Sequence, residues 1–429
     1  MIYKKLLKKA QLKASKQISK RLQQYGIALL WGQVRAGKTR SFLHASLGYR
    51  TLVVTKKDAI DGILSEAKEL NLEVDVINYH SLHKVSKDNN YQLIIFDEAH
   101  LYISPSQPKA PAIWLKAKQL SDRKFTIFAS GTPTSEGYGG LYWMLRLSTW
   151  TPFKYKRFTD FFKDYGIPST IYTSTREVPS YKKTKSDKIK NAISHLVVTL
   201  KRSDTGHKYE VIDQDHFIKT TKEQSKMLKK INGKDRLCVK DNVEILADTG
   251  AKLLSKNHQI SSGIFVYGEK LIKPNPKFVK VKKKIRKKFT TDEIIAYEKS
   301  KMILVDNLYY FKKVSPKVDY ILKNFDVDKT IILSYYVPEQ EYLAKIFPHT
   351  GSVTKMSTGK DLSMYETMIV FSMSFSASNY EQVRGRLMNV ARKTQMVCHY
   401  LICGYDNYVL EAVRAKEDFT YSWYRKRIK

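Results

Sequence analysis

The sequence has little cysteine and no long apolar run. Its three cysteines, Cys238, Cys398 and Cys403, form no metal-ligand spacing and cannot all pair with one another, which favours a reducing, intracellular setting. No stretch approaches the roughly 20 apolar residues of a spanning helix, so a soluble, cytoplasmic protein with no membrane partner is expected. The basic segment 1–21 lacks the apolar block and the cleavage site of a secretory signal.

Acidic residues are scarce as well. The chain of 429 residues carries 76 Lys and Arg against 41 Asp and Glu, a formal net charge of +35 at pH 7. Solubility does not require such an excess, so it indicates a polyanionic partner, with nucleic acid the first candidate and an anionic membrane surface the second. The 42% hydrophobic content is normal for a globular protein and excludes a disordered chain.

Hydrophobic patterning divides the chain into three parts. Residues 1–155 alternate between short apolar strands and helices, which predicts an α/β fold with a parallel sheet covered on both faces. The candidate strands are 27–31, 51–55, 74–78, 93–96 and 126–129. Residues 301–429 return to the same alternation, with strands at 330–334, 367–372 and 397–403, which predicts a second α/β unit. In such sheets ligands gather at the carboxyl ends of the strands.

The intervening region, 156–300, is rich in aromatic and basic residues. Within 270–288, ten of nineteen residues are Lys or Arg, and Pro274 and Pro276 interrupt the run. This composition predicts an exposed linker or hairpin rather than a core element. Lys282, Lys283, Lys284 and Arg286 are candidate contacts to nucleic acid, and a merely solubilising charge run is the alternative.

A phosphate-binding loop follows the first strand. Gly32-Gln-Val-Arg-Ala-Gly37-Lys38-Thr39 has the spacing of glycine, four residues, then Gly-Lys-Ser/Thr. The glycines let the backbone wrap around phosphates, and N–H groups of the loop, which includes Arg35, supply partial positive charge. Lys38 is expected to reach the terminal phosphates of ATP and Thr39 to bind Mg²⁺. A chance glycine-rich turn is the alternative, which the preceding strand disfavours.

Two adjacent carboxylates follow the strand at 93–96, in Asp97-Glu98-Ala99-His100. Asp97 is expected to hold Mg²⁺ through water, and Glu98 to orient and deprotonate the attacking water. Adjacent acids in loops are often only solvated, but the phosphate loop favours the catalytic interpretation.

The tetrad is spelled as in the DEAH-box proteins of helicase superfamily two, and the resemblance extends along most of the chain. It implies two tandem RecA-like lobes that bind ATP and Mg²⁺ between them. Ser130-Gly-Thr-Pro-Thr134 resembles the third motif, which implies that Ser130 and Thr132, with His100, couple the γ-phosphate to the nucleic-acid groove. Residues 51–56 and 78–81 fall where strand-binding motifs lie, which implies nucleic-acid contacts by Thr55, Lys56 and Asn78.

Three strings resemble the Swi/Snf-type branch, as found in small phage-like proteins. They are 131–147 with its Tyr142-Trp143 pair, Leu200-Lys-Arg-Ser-Asp204, and Gln259-Ile-Ser-Ser-Gly263 before the second unit. The central basic segment has no counterpart in this resemblance.

Gln382-Val-Arg-Gly-Arg386 resembles the sixth motif, Gln-x-x-Gly-Arg-x-x-Arg, which implies that Gln382 lines the nucleotide site and Arg386 stabilises the transition state. The second arginine position holds Asn389, and Arg384 and Arg392 are the nearby substitutes. A solvated or phosphodiester-binding arginine is the alternative for each.

Two further motifs complete the resemblance. Segment 372–380 looks like the fifth motif, which implies that Ser376 and Asn379 touch the sugar-phosphate backbone. Gln17 lies near the position of the family's adenine-reading glutamine, with Gln11 and Gln23 as rivals and an exposed helical glutamine with no role as the alternative. Asp406 matches the family's aspartate after the last strand only loosely, and helix capping is the alternative.

The leading hypothesis is therefore an ATP-dependent DNA helicase or translocase that acts as a monomer in recombination, repair or replication. Its partner would be single-stranded, duplex or branched DNA, with RNA as the second choice. A non-motor clamp or annealing protein and a partner-regulated ATPase switch are the alternatives. The clamp would tolerate loss of Lys38 and Glu98, and the switch does not predict the Gln382–Arg386 string.

Overall fold

The structure is a computed structural model, and it describes most of the chain. The described residues are 7–86, 89–103, 108–131, 134, 137–172, 177–181, 183–206, 209–233, 237–240, 243–274, 302–310, 315–356, 362, 364–386, 388, 395–415, 419–425 and 427. Two parallel sheets, one of six strands and one of five, organise these residues. The predicted α/β class with parallel sheets is thereby confirmed.

The described elements are as follows. The strands are β1 (Ile27–Gly32), β2 (Thr51–Thr55), β3 (Asp75–Asn78), β4 (Leu93–Asp97), β5 (Phe125–Ser130), β6 (Ser169–Tyr172), β7 (Glu177–Ser180), β8 (Val197–Leu200), β9 (Val211–Ile218), β10 (Leu237–Lys240), β11 (Val243–Leu246), β12 (Ile264–Pro274), β13 (Met302–Tyr310), β14 (Thr330–Ser334), β15 (Thr350–Ser352), β16 (Thr367–Val370) and β17 (Met396–Cys403). The helices are α1 (Lys9–Tyr25), α2 (Lys38–Ala45), α3 (Ile60–Glu69), α4 (His100–Ile103), α5 (Ala112–Ser121), α6 (Leu141–Leu145), α7 (Phe158–Tyr165), α8 (Ser186–Ile193), α9 (Lys222–Ile231), α10 (Gly250–Ser262), α11 (Pro316–Asn324), α12 (Val337–Leu343), α13 (Val353–Met356), α14 (Ala377–Arg386), α15 (Asp406–Arg414) and α16 (Tyr421–Arg425).

The first sheet has the strand order β3-β2-β4-β5-β1-β8. Its central strands are apolar along their whole length because helices cover both faces. In β1 the side chains alternate: Ile27 and Leu29 pack in one core with α5 to α8, while Ala28 and Leu30 pack in another with α1 to α3. This arrangement brings the ends of β1, β4 and β5 to one edge of the sheet.

The second sheet has the order β15-β14-β16-β17-β9, and all of its pairings are parallel. Two apolar clusters cover its faces, one built with α14 and α15 and the other with α11 and α12. β9 forms the edge strand and pairs along its whole length with β17.

Sheet membership crosses the predicted domain bounds. β8 completes the first sheet and β9 the second, although both strands lie in the region 156–300. The division of the chain at 155 and 300 stays a prediction. The predicted linker or hairpin at 270–288 starts within β12, which pairs antiparallel with β13, and Lys282, Lys283, Lys284 and Arg286 lie outside the described residues.

Among the helices of the described ranges, none has both the length and the apolar character that crossing a lipid bilayer would require.

Candidate active site

The phosphate loop joins β1 to α2. Gly37 has φ +85° and Arg35 has φ +66°, so the loop makes two left-handed turns, one of them at a residue type that rarely adopts this conformation. A Cβ on Gly32 would lie 2.5 Å from Lys38 Cγ, so the glycine leaves the room in which the lysine folds back. Lys38 Nζ donates to the Gly32 carbonyl oxygen at 3.0 Å. Thr39 follows in the first turn of α2.

Glu98 faces this lysine. It follows the last residue of β4 with φ +50°, and its N–H donates to the Ala129 carbonyl oxygen on β5 at 2.8 Å. Glu98 Oε1 lies 3.9 Å from Lys38 Nζ, and both side chains are largely shielded. Burial by itself raises the pKa of Glu98, but the charges of Lys38 and His100 outweigh it and hold this pKa below its usual value. This shift favours the ionised carboxylate, which is the form that can accept a proton.

Asp97 lies in a different environment from its neighbour. Burial, together with the charge of Glu98, raises the pKa of Asp97 to about 6, although Lys38 and a hydrogen bond oppose the change. That hydrogen bond comes from Thr55, whose Oγ1 donates to Asp97 Oδ2 at 2.9 Å. Tyr79 OH donates to the Asp97 carbonyl oxygen at 2.8 Å.

The position of Thr55 corrects the expectation that it contacts nucleic acid. Its side chain is completely buried and is turned toward Asp97 at the end of the neighbouring strand. In this conformation Thr55 supports the carboxylate pair, and its side chain is not accessible to nucleic acid.

Ser130 connects Glu98 to the end of β5. Its Oγ donates to Glu98 Oε2 at 3.1 Å and lies 2.9 Å from His100 Nδ1. The Gly131 N–H also donates to Glu98 Oε2, at 3.4 Å. Burial lowers the pKa of His100, although the charge of Glu98 opposes this change. The structure thus brings His100 and Ser130 together on Glu98, whereas Thr132 lies outside the described residues.

Lys56 follows β2 and is half-buried beside the two carboxylates. Burial lowers its pKa despite the attraction of Glu98 and Asp97, and the positive charge of Arg386 lowers it further. The charges of the two carboxylates and of Arg386 thus all act on Lys56.

Helix α14 brings the second sheet to the phosphate loop. A Cβ on Gly385 would lie 2.5 Å from Cγ1 of Val34, a residue of the loop, so the backbone of α14 packs directly against the Val34 side chain with no space for a larger residue. Gln382, one turn earlier on α14, is 4% exposed. Arg386 follows Gly385 directly and is half-buried. Gln382 and Arg386 thus stand on the helix that contacts the loop.

Arg384 binds the edge strand β9. Its Nε donates to Asp213 Oδ1 at 2.8 Å and its Nη2 to the Val211 carbonyl oxygen at 3.3 Å, both on β9. Tyr380 OH donates to Asp213 Oδ2 at 2.6 Å. Of the two substitutes for the second arginine, Arg384 is bound to the edge strand, and Arg392, like Asn389, lies outside the described residues.

The structure does not bring Gln17 to the phosphate loop. Gln17 lies on the outer face of α1 in a groove lined by lysines. Gln11, its rival, is buried on the other side of the helix, and a Cβ on Gly37 would lie 1.9 Å from Gln11 Nε2. The glutamine in contact with the loop is therefore Gln11.

Of the remaining candidate contacts to nucleic acid, Asn78 ends β3, whereas Ser376 and Asn379 lie at the start of α14. Asn78 Oδ1 accepts from Ser81 N at 3.1 Å and caps the short helical turn that follows β3. Asn379 Nδ2 donates to Ser374 Oγ at 3.1 Å, and the N–H of Ser376 donates to the same oxygen at 3.2 Å. Asn78, Ser376 and Asn379 are all partly exposed, but the side chains of Asn78 and Asn379 also hold their own local turns.

Sequence reasoning missed Arg202. Its N–H donates to the side-chain oxygen of Gln33 at 2.9 Å, and the Gln33 N–H donates to the Leu200 carbonyl oxygen at 2.9 Å, so the end of β8 is tied to the phosphate loop. Burial lowers the pKa of Arg202, and the charges of Glu381 and Arg384 on α14 act on it. The only signal was the string at 200–204, which was interpreted as a family resemblance and not as part of the site.

Asp406 belongs to a buried cluster apart from this site. It begins α15, lies 2.7 Å from Lys317 Nζ and 3.1 Å from His258 Nε2, and accepts from the Cys403 N–H at 3.0 Å. All three ionisable side chains are completely buried. Burial opposes the charge on Asp406, but Lys317 and His258 keep its pKa below the ordinary value.

The chemistry of the site fits Mg²⁺ with a triphosphate. Thr39 and Asp97 offer a hydroxyl and one carboxylate, and Mg²⁺ takes most of its remaining ligands from water and phosphate oxygens. No group of three or more His, Cys, Asp or Glu side chains suited to a metal ion occurs among the described residues, and such a site does not need one.

Comparisons with known proteins add no assignment. No model of a known protein family matches the chain. No curated protein matches it either.

Proposed function

We propose that the chain is an ATP-dependent DNA helicase or translocase, built of two RecA-like lobes, each around one parallel sheet. The observation that carries the proposal is the contact of Gly385 with Val34. It sets the helix of Arg386 against the loop whose Lys38 lies 3.9 Å from Glu98. A lysine and a glutamate from one sheet and an arginine from the other are the groups that superfamily-two motors use for ATP hydrolysis.

Each residue has a task that its surroundings support. Lys38 is held between the Gly32 carbonyl oxygen and Glu98, so it is within reach of a phosphate bound in the loop. When it turns to the phosphate, Glu98 is left free to accept a proton from water. Thr39 and Asp97 would hold Mg²⁺, which neutralises charge on the phosphates.

Ser130 and His100 offer a route from hydrolysis to movement. Both contact Glu98, and Ser130 ends β5, so a change at Glu98 is passed directly to the segment after that strand. Because α14 meets the loop across the cleft, closure on ATP and opening after hydrolysis would move the two sheets relative to each other.

The proposal is tested by ATP hydrolysis measured with single-stranded, duplex, forked and four-way DNA at low salt. We expect DNA to stimulate hydrolysis, and strand displacement on the same substrates to separate unwinding from tracking along a duplex. Lys38→Ala is expected to abolish turnover, because it removes the cation that binds the terminal phosphates.

Glu98→Gln is the matched variant. It is expected to bind ATP and DNA but not to hydrolyse, since an amide cannot deprotonate water. A hydrolysis rate that neither DNA nor RNA changes would support the ATPase switch instead. DNA binding that survives with no hydrolysis by the wild-type chain would support the clamp.

A further inference from the structure

Helix α1 carries a row of lysines that the nucleotide site does not use. With 17 residues it is the longest helix in the described part of the chain, and it contains no acidic residue. Lys9, Lys13, Lys16 and Lys20 are all exposed, at spacings of four, three and four residues. This spacing puts the four side chains on one face of the helix. We refer to these four residues as the lysine row.

The opposite face of α1 is buried, so the lysine row faces solvent. Ala14, Ile18 and Leu22 are buried in the core between α1 and the first sheet, so the lysines point to solvent. With Leu12 and Gln17 they line a shallow surface groove of about 420 Å³. The charge of Lys16 also contributes, after burial, to lowering the pKa of His44 on the neighbouring helix.

Four other exposed lysines of the chain, by contrast, lie within 4 Å of a carboxylate oxygen. Lys163, Lys190, Lys323 and Lys329 lie 3.9, 3.1, 2.8 and 3.4 Å from a carboxylate oxygen. No ion pair joins any member of the lysine row to an acid within the described residues, and α1 itself has none to offer. The row is therefore a concentration of positive charge on one helix face, with no acid paired to it among the described residues.

We propose that the lysine row binds the phosphodiester backbone of DNA outside the nucleotide cleft. At about 1.5 Å per residue the row extends over roughly 16 Å, enough to follow several phosphates of one strand. Lysine ammonium groups suit phosphate as mobile point charges and read no base sequence. The inference rests on the proposed function only for the identity of the partner.

An anionic lipid surface is the other partner that a basic helix could have. Helices that bind in a membrane interface present a broad apolar face to the lipid. In α1 that face is already buried against the sheet, and Leu12 is the one large apolar residue beside the row. The observations therefore favour a phosphodiester over a lipid.

The test is the salt dependence of DNA binding by the full chain without ATP. The row variant changes Lys9, Lys13, Lys16 and Lys20 to Gln, which keeps helix propensity. The control variant changes Lys163, Lys190, Lys323 and Lys329 to Gln, so that both lose the same charge. The dissociation constant of a duplex is measured at several salt concentrations.

The row variant is expected to reduce the slope of log Kd against log salt by about 3 to 4, since each duplex phosphate contact contributes about 0.9. The control should change it by less than about 1. An unchanged slope in the row variant, or an equal loss in both variants, overturns the inference. Should the fourfold variant not fold, the Lys9→Gln, Lys13→Gln pair should lower the slope by about 2.

Vesicles containing phosphatidylserine provide the second arm. If the row variant loses vesicle binding but keeps its DNA slope, the surface belongs to lipid and the inference is wrong. The measurement requires no nucleotide, so a chain that fails to hydrolyse ATP can still confirm the lysine row, and an active ATPase can still fail this test.

Discussion

Asp97 shows how one residue carries opposing demands of stability and chemistry. Burial and the charge of Glu98 raise its pKa to about 6, while the hydrogen bond from Thr55 and the charge of Lys38 favour the ionised form. A dication bound there would remove much of this cost, because it supplies the charge that the apolar surroundings withhold. The position of Asp97 would thus favour a bound dication and lower the stability of the chain without one.

This cost predicts the behaviour of Asp97→Asn without nucleotide or Mg²⁺. Because the folded pKa of about 6 lies above the usual value of 3.8, the folded chain holds this proton more tightly than the unfolded chain. Stability therefore falls as pH rises from about 4 to 6. At pH 7 the Asn variant should have a free energy of unfolding higher by on the order of 1–3 kcal/mol.

Urea unfolding at pH 7 and pH 4 checks this prediction, with the gain expected to vanish at the lower pH. ATP hydrolysis should be lost at both. An Asn variant that is less stable than the wild type at pH 7, yet folded, would show that Asp97 is not destabilised by its position.

The sequence predicts the phosphate loop and the two carboxylates, but not the residues that contact them. The loop and the two carboxylates were predictable because fixed spacing along the chain defines them. Thr55 and Gln11 were not, because what decides their role is burial against residues 42 and 26 positions away, Asp97 and Gly37. A pattern that is local in sequence holds no information about such contacts.

At the scale of elements, the contact of α14 with the phosphate loop is the most informative feature. Gly385 does not have a left-handed backbone, so its backbone conformation is compatible with alanine. Its Cβ would nevertheless lie 2.5 Å from Val34 Cγ1, and a short branched side chain on a fixed loop cannot move far. The added methyl must push the helix and the loop apart.

Gly385→Ala is therefore expected to lower kcat for DNA-stimulated ATP hydrolysis by roughly tenfold to a hundredfold, since a displacement of about 1 Å can cost that much. The double variant with Val34→Ala removes the obstructing methyl groups and should recover most of the rate. Steady-state assays of the two single variants and the double variant check this. If the double variant is as slow as Gly385→Ala, the contact does not set the cleft.

β8 and β9, which were not predicted from the sequence, are edge strands of the two parallel sheets. The central strands of both sheets were predicted to within one or two residues because both faces are buried. β9 was not, as Ile212 and Phe217 on it are 52% and 72% exposed while Asp213 and Asp215 are partly buried. β8 has only four residues, and its place is defined by pairing with β1.

At the scale of the whole molecule, the positive charge is not evenly balanced. Exposed lysines on several helices are paired with acids three or four residues away, as Lys190 is with Asp187 and Lys323 with Asp319. Such exposed pairs contribute little to stability and mainly cancel charge. The net charge of +35 therefore acts through surfaces without acids, such as the outer face of α1.

The proposed mechanism requires groups from two sheets to meet at one nucleotide. The first sheet supplies Lys38 and Glu98, and the second supplies Arg386 on a helix that touches the phosphate loop. Neither sheet alone holds all three groups, so hydrolysis should require that both close on ATP.

The most direct test is kcat for ATP hydrolysis by Arg386→Ala at saturating DNA and ATP. Because the guanidinium is expected to act on charge that develops in the transition state, kcat should fall by about 10³-fold or more, while the affinity for ATP changes far less. Hydrolysis by Arg386→Ala at the wild-type rate would contradict the proposed mechanism, since the second sheet would then contribute nothing to the reaction.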